Sequence, residues 1–128
     1  MERTVVRTEA APAPFRGAPY SQAIRAGDLV FVSGQIAVSP ETNELVGESI
    51  QEQTEQALRN LGAILEAAGS SLDRLVKTTV FLADLGDFEG MNEVYACRVG
   101  DTPPARSTVG VQLPPGVRIE IEGVAKVE

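Results

Sequence analysis

The stretch from Ser49 to Gly69, SIQEQTEQALRNLGAILEAAG, restricts the fold of this chain more than any other. Ser49 and Glu52 have the spacing of a capping box, and Ile50, Thr54, Ala57, Leu58, Leu61, Ile64, Leu65 and Ala68 recur at three- and four-residue steps. The pattern predicts a helix from about Ile50 to Ala68, ended by Gly69. Glu52, Glu55, Gln56, Arg59 and Glu66 fall on the opposite, solvated face. A helix with one apolar stripe must bury it against another layer. The segments around it read as strands, so that layer is a sheet.

YSQAIRAGDLVFVSGQI, from Tyr20, reads as two strands turning at Ala26, Gly27 and Asp28. The second, Leu29 to Val32, is apolar on both faces and is expected to be central, with Ser33 and Gly34 breaking the run. VSPETNELVG is a loop with turn residues at Pro40 and Asn43. RLVKTTVFLAD predicts a strand from about Leu75 to Leu82, followed by a second helix from about Asp87 to Val99 with Phe88, Met91, Tyr95 and Val99 on one side. Residues 1–17 read as an extended lead-in to a single domain, 1–128. The expected architecture is α+β, in the order β-β-β-α-β-α-β-β: a mixed sheet of about six strands with two helices on one face.

The chain closes with PPARSTVGVQLPPGVRIEIEG, residues 103–123. Read as a hairpin, with Pro114, Pro115 and Gly116 as a three-residue turn, Leu113 pairs with Val117, Val111 with Ile119 and Val109 with Ile121. That register puts Arg106, Thr108, Gly110 and Gln112 on one face with Arg118, Glu120 and Glu122. Arg106 and Glu120 would lie about four residues apart along the sheet, roughly 13 Å, a gap suited to a small anion. The same alternation is what any half-solvated hairpin shows, so pattern alone favours the structural reading over the functional one. Tyr20, Ser33 and Asn92 have equally plain readings as a packed aromatic, a turn residue and a solvated helix position.

Composition narrows the chemistry. The net charge is −7, with basic residues scattered along the chain, so nucleic acid is not an expected partner. No apolar run is long enough to span a bilayer and MERTVVRTEA is not a signal peptide, so no membrane association and a cytoplasmic location are expected. The chain has no histidine and one cysteine, Cys97. Ser-His-Asp and Cys-His nucleophile systems and histidine metal sites are therefore excluded, and acid–base work falls to carboxylates, hydroxyls, backbone or water. No GxGxxG or Walker-type loop is present, so neither a nucleotide cofactor nor a metal is expected.

PPARSTV and VRIEIEGVA, together with APYSQA, LVFVSGQI, VKTTVFLADLGDFEGMNEVYA and the helix between them, resemble the RidA family, also called YjgF/YER057c/UK114, of reactive-intermediate deaminases. The resemblance runs from about Ala18 to Val127 in the family's order. It implies a chorismate-mutase-like fold, a homotrimer and clefts between subunits. The implied reaction is cofactor-free hydrolysis of enamines and imines such as 2-aminoacrylate to a 2-keto acid and ammonia, with a small imino or keto acid as ligand. Arg106 matches the family arginine that grips the substrate carboxylate, and Glu120 the glutamate that holds or activates water. Tyr20, Ser33, Gly34, Asn92 and Thr108 match positions that line the cleft; several characterised deaminases have cysteine where this chain has Thr108. The alternative within the family is a non-catalytic trimer that binds a small carboxylate or keto acid. An endoribonuclease, the third possibility, fits poorly with the charge and the missing histidine.

Overall fold

The structure, a computed structural model, describes residues 2–127; Met1 and Glu128, the ends of the expected domain, lie outside the described residues. Strands β1 (Arg3–Val6), β2 (Ala23–Ala26) and β3 (Leu29–Gln35) precede helix α1 (Ile50–Ala67). Strand β4 (Leu75–Leu82), helix α2 (Phe88–Arg98) and strands β5 (Ala105–Gly110) and β6 (Ile119–Lys126) follow. The six strands form one sheet in the order β1-β2-β3-β6-β4-β5, with α1 and α2 packed together over one face. The expected element order and strand number hold. Part of the predicted lead-in is β1, which adds an antiparallel edge to β2.

The first helix forms as its sequence dictates. The Ser49 side chain accepts the Glu52 N–H at 3.1 Å while the Glu52 carboxylate accepts the Ser49 N–H at 3.1 Å, satisfying two donors that a helix start leaves without partners. Leu58, Leu61, Ile64 and Leu65 are fully buried against the sheet. Their partners include Val30, Val80, Ile119 and Ile121, so the core lies between the helices and β3, β6 and β4.

The terminal segments do not form a hairpin. β5 pairs in parallel with β4, Arg106 beside Thr78 and Thr108 beside Val80, whereas β6 pairs antiparallel with β4, Glu120 beside Phe81, and on its other side with β3. β4 thus lies between the two strands expected to pair. The link over residues 111–118 straddles the end of β4: Val111 N–H donates to Leu82 O at 2.9 Å and Ala83 N–H to Arg118 O at 3.0 Å. The Pro114–Gly116 turn exists, with Val117 N–H on Pro114 O and Gly116 at φ 83°, but it sits within this longer link. Alternation specified which side chains of β6 face inward; it carries no information about which strand lies alongside. Placing β6 in the middle covers the apolar Ile119–Ile121 face with helix and satisfies both of its backbone edges.

Two consequences position the site. Arg106 and Thr108 share the helix-covered face with Thr78 and Val80, while Glu120 and Glu122 share the open face with Phe81 and Thr79. The expected single face for arginine and glutamate is therefore replaced by opposite faces. Ser33 and Gly34, in turn, do not end their strand: β3 continues to Gln35, and what breaks there is its ladder with β6. Val32 pairs with Gly123 and Gln35 with Ile121, so β3 spends one more residue than β6, a bulge that turns Ser33 and Gly34 toward the open face.

Candidate functional site

On the open face, Glu120 projects from β6 across the bulge. A Cβ at Gly34 would lie 2.0 Å from Glu120 Oε2, so the carboxylate rests in the space that a missing side chain leaves. Tyr20, Ser33, Gly34 and Glu120 line one cavity of about 640 Å³, completed by Phe15, Ile36, Val38 and the Pro114–Pro115 turn. Glu120 is half-buried and makes no hydrogen bond or ion pair with any described residue. Burial, and secondarily the charge of Glu122, pushes its pKa above the ordinary carboxylate value of 4.5.

The cavity's polar groups are tied to its backbone. Tyr20 Oη accepts the Phe15 N–H at 2.7 Å, which leaves the phenolic proton free to donate. Ser33 Oγ donates to Ser21 O at 2.6 Å. Buried Gln22 donates through Nε2 to the carbonyls of Thr8, Ala11 and Pro12 and accepts the Thr8 N–H, pinning the approach to Tyr20. Buried Asn60, on α1, donates to Ile36 O and Val38 O and fixes the opposite wall.

The second group lies at the β5 edge of the sheet. Arg106 Nη1 donates to Asn92 Oδ1 at 2.8 Å, and the guanidinium stacks over the rings of Tyr95 and Phe88, 4.8 and 5.5 Å from their centroids. Tyr95 is itself fixed by a 2.6 Å hydrogen bond between its hydroxyl and that of buried Thr78. No acidic side chain pairs with Arg106 among the described residues. The arrangement holds one edge of the fork and leaves the rest for a ligand, an arrangement that suits a carboxylate. Thr108 follows two residues on, half-buried on the same face.

The seven sequence-predicted site residues therefore fall into two sets: Tyr20, Ser33, Gly34 and Glu120 at the open-face cavity, and Asn92, Arg106 and Thr108 at the β5–α2 edge. A single chain does not bring the sets together, because they occupy opposite faces of the sheet, with β4 between β5 and β6. Sequence reading missed the aromatic shelf under Arg106. Phe88 and Tyr95 were placed on one side of their helix, but the strand that runs beside that side was not legible. Phe15 was missed because it stands in a Pro- and Ala-rich segment without periodicity.

Comparison with known proteins places this geometry in context. Residues 8–127 match the family model described as Endoribonuclease L-PSP. The chain is 50% identical over 126 residues to Reactive Intermediate Deaminase A, chloroplastic, of Arabidopsis thaliana, covering 98% of this chain and 66% of that protein. It is 44% identical over 124 residues to the human 2-iminobutanoate/2-iminopropanoate deaminase, covering 96% and 89%. Among solved structures, Escherichia coli TdcF with bound serine superposes with a TM-score of 0.89 at 40% identity, covering 98% of this chain and 99% of that one.

Proposed function

This chain belongs to the RidA family, which includes proteins named as deaminases, and from that premise we propose that it hydrolyses 2-imino acids, and the enamines that tautomerise to them, to 2-keto acids and ammonia. The observation that carries the reading is a pair of charges in prepared seats, neither with an opposite charge beside it among the described residues: Arg106 on its aromatic shelf and Glu120 against Gly34. A protein that only captured a carboxylate would need the arginine. A half-buried glutamate would oppose the anion, and has a use where a water must be deprotonated.

In the proposed mechanism Arg106 fixes the substrate carboxylate and Asn92 holds the guanidinium. Glu120 takes a proton from water as the oxygen bonds to the imine carbon, giving a carbinolamine. Glu120 then gives that proton to the nitrogen and takes up the hydroxyl proton as the C–N bond breaks, so that ammonia leaves as the C=O forms. Tyr20 and Ser33 orient the substrate, and Thr108 lies beside the nitrogen. A protonated imine is already electrophilic, so positioning supplies most of the acceleration. The family resemblance implies a homotrimer, and the opposite faces of Arg106 and Glu120 in one chain support a cleft between neighbouring copies, one giving the arginine edge and the other the glutamate cavity. Serine, the ligand named with TdcF, carries the same α-carboxylate and nitrogen as the proposed substrates.

The test is the decay of 2-aminoacrylate, generated in situ by a dehydratase acting on serine, with and without the protein. Acceleration that falls about a hundredfold in Arg106→Ala, the loss expected for a bidentate charge-assisted contact, is the expected result. Near wild-type kcat/KM in that variant would overturn the assignment. No acceleration of any imine by a folded protein that still binds small keto acids would leave the binding module instead.

A further inference from the structure

We infer that Arg16 is a specificity-determining residue that holds a second anionic group of the substrate, so that the site favours 2-imino acids with a distal carboxylate over small monocarboxylates. The inference rests on the deaminase reading and names its substrate class. The Glu120 cavity does not end at Tyr20: Phe15, Tyr20, Gly34, Ile36 and Val38 also wall a neighbouring cavity of about 400 Å³, and there Arg16 is the one charged side chain of the lining. A ligand with its reacting carbon at Glu120 can extend past the Phe15 ring toward that guanidinium.

Arg16 is exposed, but its backbone is fixed by the turn that carries it. Its backbone is left-handed, φ 51° and ψ 34°, a conformation a residue with a Cβ adopts only against a steric cost. Such an outlier points to function when its surroundings enforce it. Here Gly17 N–H bonds Pro14 O at 3.3 Å, Ala18 N–H bonds Phe15 O at 2.9 Å, and Phe15 N–H bonds Tyr20 Oη, so the turn and the cavity tyrosine are one unit. The guanidinium lies over the Phe15 ring, 5.0 Å from its centroid, and no acidic side chain pairs with it among the described residues. The cavity's other charges, Glu120 and Glu122, would repel a dicarboxylate in a chain already at −7. Arg106 answers the carboxylate beside the reacting carbon, and Arg16 the one beyond it.

The decisive quantity is the ratio of kcat/KM for imines made in situ by amino-acid oxidases from glutamate and from alanine, followed by trapping with semicarbazide. The variants are Arg16→Asn, which tolerates the left-handed backbone and so keeps the fold, and Arg16→Lys, which keeps the charge without the planar fork. Wild type is expected to favour the diacid imine. Arg16→Asn should lower the diacid value about tenfold, the loss of one charge-assisted contact, and leave the alanine-derived value within about twofold, with Arg16→Lys between. Equal effects on both substrates, or no wild-type preference, would overturn the assignment. Calorimetric titration with 2-oxoglutarate and 2-oxobutanoate separates the two readings. If no imine is hydrolysed but Arg16→Asn weakens 2-oxoglutarate binding alone, the deaminase reading fails and Arg16 keeps its role. If both keto acids bind alike in both proteins, the Arg16 assignment fails by itself.

Discussion

Glu120 and Gly34 act as one unit at the scale of the residue. Gly34→Ala would place a methyl group where the carboxylate rests, and because the carboxylate is the mobile end of its side chain, it is the carboxylate that moves and the fold that survives. Activity on 2-aminoacrylate should fall at least about tenfold with the circular dichroism spectrum and melting temperature little changed, since misplacement of a catalytic group by an ångström is costly. The raised pKa of Glu120 makes a second prediction. A carboxyl group that binds its proton more tightly folded than unfolded adds stability below the unfolded value of 4.5 and loses it as pH rises through the folded value. Glu120→Gln should therefore melt above wild type at pH 7, the difference closing below about pH 4.5, while turnover falls. Wild-type kcat/KM should decline on acidification with an inflection above 4.5. The two charges could be singled out from sequence because they stand in quotable motifs. The need for glycine at position 34 could not, because it comes from a strand 86 residues further on.

At the scale of the element, the capping box and the apolar periodicity made α1 legible to within a residue, since both are local. Ser49→Ala should cost about 1 kcal/mol in denaturant unfolding, the usual value of a helix cap. Buried Gln53 should matter more. It donates to Gly47 O at 3.2 Å and Gly116 O at 2.9 Å and accepts the Arg118 N–H at 2.8 Å, joining the start of α1 to the link before β6. Gln53→Leu leaves those backbone groups without partners and should cost about 3 kcal/mol, read from the unfolding midpoint. Nothing at the sequence level marked Gln53, because its helical position predicts an ordinary polar residue and its partners lie up to 65 residues away. The β5–β6 pairing failed for the same reason. A turn signal at Pro114–Gly116 is local and correct, but whether strands on either side of it are neighbours depends on whether a third strand fits between them.

The whole molecule carries the prediction that depends on assembly. If Arg106 and Glu120 reach one substrate from different copies, inactive Arg106→Ala and Glu120→Gln chains refolded together in equal amounts should regain about one quarter of wild-type activity, because random mixing leaves that share of clefts with both groups intact. Recovery of none would put both groups to work within one chain. The sequence by itself determined the two helices, the strand count and the inward faces of β6, since each depends on spacing within a few residues, whereas Arg106 and Glu120 were singled out by their resemblance to family motifs. Only the tertiary structure decided that β4 separates β5 from β6 and that Arg106 and Glu120 face opposite ways. It alone decided that Glu120 rests on Gly34 and that Arg16 adjoins the same space. Those facts follow from which strands share hydrogen bonds across the sheet, and a pattern with period two fixes a side chain's face relative to its own strand but not the strand that will lie next to it.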